Sequence, residues 1–174
     1  YTGELSEDRI PHALLRALSR LEDSNIKLQF IGNTCPELKQ EIQRLNLGNK
    51  VMLKPYMPHI ASIAELQQSD LLLLVINQVA NGKGIVPGKI FEYLGTRKPI
   101  LCLGDPTGEA GEIIKTTNSG FCIAHHNEEE IFILLSRLSS GVLPGLSFQT
   151  EQFERKNETG QLCDIFNTLV NKPS

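Results

Sequence analysis

At 174 residues, with 40% hydrophobic and 21% charged residues, the chain has the length of one domain and the composition of a soluble globular protein. That balance excludes collagen and intrinsic disorder. The net charge of −3 and the scattered basic residues exclude a cationic stripe for nucleic acid or an anionic membrane. A chain of this size hides roughly 68–70% of its unfolded surface, which allows a real core.

Four cysteines, Cys35, Cys102, Cys122 and Cys163, stand apart with no CxxC spacing. Cys102 and Cys122 fall in apolar runs and are expected to be small buried hydrophobes in a reducing compartment. The start YTGELSEDR has neither the basic nor the apolar region of a signal peptide, and no run of eighteen apolar residues exists. The expectation is a cytoplasmic protein, at most peripheral at the inner face of a membrane. Residue 1 is Tyr, and if Tyr1 and Thr2 end a strand, most of that strand lies upstream. The chain is therefore expected to be a C-terminal fragment of a longer one, a single domain over 1–174.

After the polar loop GELSEDR, the apolar residues Ile10, Leu14, Leu15, Leu18 and Leu21 repeat at helical spacing and predict a helix over 10–21. A strand over 26–31 ends at Gly32-Asn33. Leu38, Ile42 and Leu45 mark a helix over 35–45 that Gly48 is expected to close. A short strand over 51–54 is followed by a helix carrying Ile60, Ile63 and Leu66. The run LLLLVI, 71–76, is continuously apolar, as in a parallel strand covered on both faces. Next come the loop NQVANGKGIV, a helix over 87–95 and a strand over 100–103. A helix over 109–117, a strand over 121–124 and a helix over 128–138 continue the rhythm, and 151–170 predicts a terminal helical region weakened by Gly160. Strands alternating with helices call for parallel pairing through right-handed crossovers. The expected fold is α/β: an open, doubly wound, Rossmann-like parallel sheet of about six strands with helices on both faces.

Ligands of such sheets bind at the carboxyl ends of the strands. Of the loops there, GIVPGKIFEYL carries the most chemistry. Pro87 suits a helix start, and Gly88 lets a ligand approach the backbone. The exposed amides and a helix dipole of about half a positive charge favour a phosphate, to which Lys89 adds a full charge. Glu92, one turn on, offers two acceptor oxygens to neighbouring ribose hydroxyls. Phosphate and ribose together spell nucleotide. The competing reading is an exposed Lys89–Glu92 ion pair at i, i+3, worth a few tenths of a kcal/mol, with Gly95 as C-cap.

Other positions stay open between two roles. His59 borders a nucleobase or merely opens a helix. Asn33 caps a turn or touches the donor. Asp105 and Glu109 are turn and helix-start residues or sugar contacts. His125 and His126 lack a metal partner spacing and are expected to be solvated. Neither DxD nor HExxH is present, so no metal or other cofactor is expected.

The order TG, Arg9 and helix; FIGN; KPYMPH, helix, SDLLLLV; GIVPGKIFEYL with KPIL; then EAGEII and SGF resembles the C-terminal, donor-binding domain of GT-B glycosyltransferases of the GT4 kind, glycosyl transferases group 1. The resemblance runs from residue 1 to about 138, and VPGKIFEYLGTRKPIL is its most specific block. It implies a retaining transferase that moves a sugar from a nucleotide-sugar donor to an acceptor held by an N-terminal domain of the same chain, absent here; the fragment alone should bind nucleotide weakly and not turn over. It implies that Glu92 binds the donor ribose and that Arg9, with Gly88 and Lys89, meets the diphosphate. Gly3, Asn33, His59, Lys83 and Gly84 are candidate donor contacts. The chain departs from the pattern twice. Gly84 stands where the family often has a Glu, and Glu4 stands where a basic residue is common, so Lys89 or Lys83 is expected to carry part of that load. Two other readings remain: half of a non-hydrolysing nucleotide-sugar 2-epimerase, disfavoured because NQVANGKGIVPGK replaces an acidic, serine-rich loop, and a noncatalytic Rossmann-like binding or assembly module.

Overall fold

A computed structural model describes residues 1–22, 24–143 and 145–153, with positions 159, 160, 163 and 166. In chain order the elements are α1 (His12–Ser19), β1 (Leu28–Ile31), α2 (Pro36–Arg44), β2 (Val51–Lys54), α3 (His59–Gln68), β3 (Leu72–Val75), α4 (Lys89–Thr96), β4 (Ile100–Leu103), α5 (Glu109–Thr116), β5 (Gly120–Ile123) and α6 (Glu128–Ser139). Short 3-10 turns cover Glu7–Arg9, Gly82–Gly84 and Glu151–Phe153.

All strand pairs are parallel, as the alternation of strand and helix predicts. Five strands are described instead of about six, in two ladders: β1 with β2, and β3-β4-β5. The free edge of β1 carries Thr2, bridged in parallel to Ile31. Thr2 thus adds a single bridge beside β1 and no further strand among the described residues.

Strand residues alternate between two cores, the period-2 rule at work. Leu73 and Val75 face one side, where Leu14, Leu15 and Leu18 of α1 meet Ile131, Leu134 and Leu135 of α6. Leu72 and Leu74 face the other, with Leu66 of α3, Ile90, Tyr93 and Leu94 of α4, and Ala110 and Ile114 of α5. β3 and β4 are buried at every position, which is why LLLLVI reads as unbroken apolar sequence. Outside the cores, Arg16 Nε donates to Glu128 at 2.7 Å and the Arg20 guanidinium lies 4.1 Å from the Phe132 ring centre, which clamps α1 to α6.

Several boundaries differ from expectation for local reasons. α1 starts two residues late because Pro11 takes its cap position, where a missing N–H is no loss. α2 ends through Asn46 in the left-handed region, φ 54°, and not through Gly48. Gly95 lies inside α4, which instead ends at left-handed Arg97, φ 54°. Asn and Arg accept there a conformation that costs an ordinary residue about 1–2 kcal/mol. α6 opens with a reciprocal cap: Asn127 accepts from the Glu130 N–H at 3.2 Å and donates to the Glu130 carboxylate at 2.7 Å.

Cys102 is buried, but Cys122 and Cys35 are only half-buried and Cys163 is exposed. His126 is exposed, whereas His125 is half-buried and burial pushes its pKa down, so it is not the solvated residue expected. In the terminal region Thr159, Gly160, Cys163 and Phe166 are helical; the expected apolar residues Leu162, Ile165 and Leu169 lie outside the described residues. Among the described residues no helix is long and apolar enough to cross a membrane, and no cluster of three His, Cys, Asp or Glu could hold a metal ion.

Candidate functional site

At the carboxyl end of β1 a cavity of about 210 Å³ is lined by residues of four segments: Thr2 and Gly3, Ile31 and Gly32, the stretch from Tyr56 through Ser62, and Lys89 with Glu92 of α4. This is where a doubly wound sheet should hold a ligand. The volume is below the roughly 300–1,000 Å³ of a complete small-molecule cleft. A cavity of that size has room for only part of such a small molecule.

Two glycines build its floor. Gly3, φ 103°, and Gly32, φ 121°, both lie in the region that only glycine enters freely. A Cβ on Gly32 would sit 2.5 Å from the Gly3 carbonyl oxygen. The two backbones therefore touch, and Gly3 N donates to Ile31 O at 2.7 Å. A Cβ on Gly3 would in turn sit 2.7 Å from Lys89 Nζ, so the missing side chain is what admits the ammonium.

Lys89 Nζ donates to the Thr2 carbonyl and lies 4.4 Å from the Tyr1 ring centre, a cation–π distance. Neither partner is anionic. Among the described residues Lys89 forms no ion pair, so the exposed Lys89–Glu92 pair of the competing reading is not made. Burial pushes the Lys89 pKa below the usual lysine range, the Arg9 charge pushes it further, and Glu92 partly opposes both. Lys89 thus keeps its charge without an anionic partner among the described residues, close enough to Arg9 for that second charge to act on it.

α4 reinforces this. Gly88 is helical, φ −52° and ψ −27°, and no side chain caps the start. Ile90 N donates to Pro87 O and Phe91 N to Gly88 O, which leaves the Gly88 and Lys89 N–H groups without an acceptor among the described residues. A Cβ on Gly88 would meet nothing within 4 Å, so open space adjoins those amides. Glu92 is exposed, lines the same cavity one turn on, and is not turned into the core. Tyr93, the next residue, is fully buried; its hydroxyl lies 3.4 Å from Thr2 Oγ1 and donates to Leu73 O at 3.3 Å. Burial pushes its pKa up to about 12.

The other sequence candidates divide. Gly3 and His59 line the cavity. Arg9 does not, but it is half-buried, with Nε on Ser6 Oγ at 3.1 Å, and its charge acts on Lys89. Asn33 is exposed beyond β1, its carbonyl accepting from Leu5 N at 2.8 Å. Lys83 is bound elsewhere, to Asp105 Oδ2 at 3.3 Å and Thr107 Oγ1 at 3.2 Å. Gly84 is exposed and a Cβ there would meet nothing within 4 Å. Neither Lys83 nor Gly84 lines the cavity.

Sequence reasoning missed Tyr1, Thr2, Tyr56 and Ser62. Tyr56 is 75% exposed, an aromatic face between Pro55 and Pro58. That exposure between two prolines is a signal the sequence carries, because a stiff loop holding an aromatic in water suits a flat ligand. Tyr1 and Thr2 carry no such signal; they matter through a ring face and a carbonyl.

No curated protein matches the sequence. Among solved structures, Alr3699/HepE from Anabaena in complex with UDP is similar at TM-score 0.68 and 17% identity, over 96% of this chain and 48% of that one. Sucrose-phosphate synthase from Thermosynechococcus elongatus is similar at 0.67 and 10%, over 99% and 46%. The C-terminal domain of a group 1 family glycosyl transferase, LpcC, from Francisella tularensis is similar at 0.59 and 15%, over 80% and 75%. At these identities the likeness shows the fold, and the chain spans about half the length of the first two. The glycosyl transferases group 1 pattern matches residues 1–140, most of the chain and all four segments of the cavity. The chain belongs to the glycosyl transferases group 1 family.

Proposed function

We propose that the chain is the C-terminal, donor-binding domain of a retaining glycosyltransferase, and that the cavity at Lys89 takes the diphosphate and ribose of a nucleotide-sugar. The observation that carries the reading is the Lys89 ammonium, held by a carbonyl and a ring face with no carboxylate partner among the described residues, one turn from a Glu92 that faces the same space. Family membership supports sugar transfer, and HepE was solved with UDP. The small cavity suits half of a site whose other wall belongs to an acceptor-binding domain.

In the transfer, the bond between the anomeric carbon and the diphosphate oxygen breaks and negative charge grows on the leaving group. Lys89, Arg9 and the amides of Gly88 and Lys89 stabilise that charge more as it develops, which lowers the barrier. No metal ion is needed for this if the two cations suffice. Glu92 positions the ribose and contributes binding rather than bond-breaking. In this reading the base rests against Tyr56 and His59, which line the same cavity. Gly84 leaves open the place where relatives carry an acid, so departure relies on the cations.

The test is calorimetry of the chain with UDP, GDP and their sugar conjugates, repeated in EDTA. One diphosphate should bind, unaffected by EDTA. Glu92→Ala should weaken it about tenfold, the loss of a charged hydrogen-bonding partner. Heats that are equal in Glu92→Ala and the parent remove the ribose assignment, and no heat from any nucleotide favours a noncatalytic module.

A further inference from the structure

β4 and β5 carry a cysteine at the same level. Their parallel register sets Cys102 opposite Cys122. Both side chains join the core on the α4 and α5 face, while Leu101, Leu103, Phe121 and Ile123 turn to the other face. Neighbouring strands lie about 4.7–4.9 Å apart, inside the range of roughly 4.4–6.8 Å found between the Cα atoms of disulfide-bonded residues. The two thiols are close enough to hydrogen-bond. Packing asks for one small apolar side chain at each position and gives no reason for a second sulfur opposite the first.

The two sulfurs differ in access. Cys102 lies in the middle strand of its ladder at 0% exposure. β5 pairs only with β4 among the described strands, and at that edge Cys122 is half-buried. They also differ in acidity. The hydrogen bond donated by the Cys102 thiol lowers the Cys122 pKa, against burial and the charges of Asp105 and Glu130, and the same bond together with burial raises that of Cys102. The proton therefore leaves Cys122 first, and the thiolate, which is the nucleophilic form, arises on the sulfur that a reagent can reach.

We propose that Cys122 and Cys102 form a thiol–disulfide exchange site, at which a small disulfide of the glutathione type oxidises the pair to a bridge between β4 and β5. The Cys122 sulfur attacks one sulfur of the reagent, the reagent's S–S bond breaks, and the first small thiol leaves with the Cys122 proton. Cys102 then attacks the Cys122 sulfur of the mixed disulfide, and the second small thiol leaves with the Cys102 proton. The pair loses two electrons, and one disulfide is reduced to two thiols. Cys122 is the attacking sulfur and Cys102 the resolving one. In a reducing compartment the pair stays open, and a rise in small disulfides closes it. This inference does not depend on what the anion site binds.

The full natural chain, kept folded, is treated with oxidised glutathione, quenched in acid, alkylated and mapped without reduction. The tryptic peptides that carry Cys102 and Cys122 should be joined, with no glutathione on either, and dithiothreitol should separate them. Cys102→Ala should stop the reaction halfway, with glutathione held on Cys122, and Cys122→Ala should leave Cys102 a free thiol. Without oxidant, iodoacetamide should label Cys122 at least about tenfold faster than Cys102. A lasting glutathione adduct on Cys122 of the parent, free thiols at both positions, or a bridge that forms only in denaturant overturns the proposal, and equal labelling of the two overturns the order of attack. If Cys102→Ala does not fold, the map of the parent decides alone.

Discussion

Lys83 and Lys89 are six residues apart, both follow glycine-rich turns at the carboxyl edge of the sheet, and they are in opposite electrostatic states. Lys83 is 70% exposed and neutralised by Asp105, whose carboxyl is held below its ordinary pKa by hydrogen bonds from Thr107 first and then by Lys83. Lys89 is half-buried, rests on a carbonyl and a ring, and has a second cation nearby. A solvated pair on the rim is worth little in energy and offers nothing to a ligand. A cation held without a counter-ion among the described residues has an unmet electrostatic need, and that difference, more than the glycine content of the loops, is why the proposed site is centred on Lys89 and not on Lys83.

The largest effect should come from a glycine packed against the backbone around each lysine. Gly32→Ala puts a Cβ against the Gly3 carbonyl at a left-handed φ, so it should cost about 1–3 kcal/mol of stability and weaken UDP at least tenfold by displacing Gly3 from Lys89. Gly108→Ala also crowds backbone, 2.9 Å from Lys83 O, but should lower Tm without changing UDP affinity. Thermal melts with and without UDP separate the two. If Gly108→Ala weakens UDP as much as Gly32→Ala does, the contrast between the two sites is lost.

The next effect is a pH dependence. Because burial and Arg9 depress the Lys89 pKa, the unfolded chain holds more protons than the folded one between that depressed value and the ordinary 10.5, and stability contributed by this group rises with pH across the window. Binding of a diphosphate restores the proton, so UDP affinity should be flat below the depressed pKa and fall as pH rises through it. Titrations from neutral pH to about pH 10 read the slope, and Lys89→Met should both weaken UDP about 10- to 100-fold and abolish that slope. The smallest effect is Lys83→Met, which should change stability by under about 1 kcal/mol and UDP affinity by less than twofold, measured by the same titration.

The fold was legible because its signals are local and repeated. LLLLVI announced a strand with two covered faces, and the spacing of Leu14, Leu15 and Leu18 announced the inner face of α1. Helix ends were harder to read: Asn46 and Arg97 take left-handed positions that glycine is expected to take, and tertiary packing decided those two cases. For the candidate site, Lys89 and Glu92 could be named from GIVPGKIFEYL because a phosphate and a ribose would ask for such groups at that spacing, and the structure brings both to one cavity. Lys83 was not separable from Lys89 by residue type; only the position of Asp105 in space distinguishes them. The Tyr1 ring and the Thr2 carbonyl were invisible because a ring face and a backbone oxygen leave no mark in residue identity.

The Tyr93 hydroxyl, buried between Thr2 and Leu73, pins α4 to each of them. Lys89 and Glu92 sit on the first turn of that same helix, so the buried hydroxyl anchors the element that carries both. If the cavity takes nucleotide as proposed, loss of that one buried hydroxyl, as in Tyr93→Phe, should loosen the grip on nucleotide before it lowers the melting temperature.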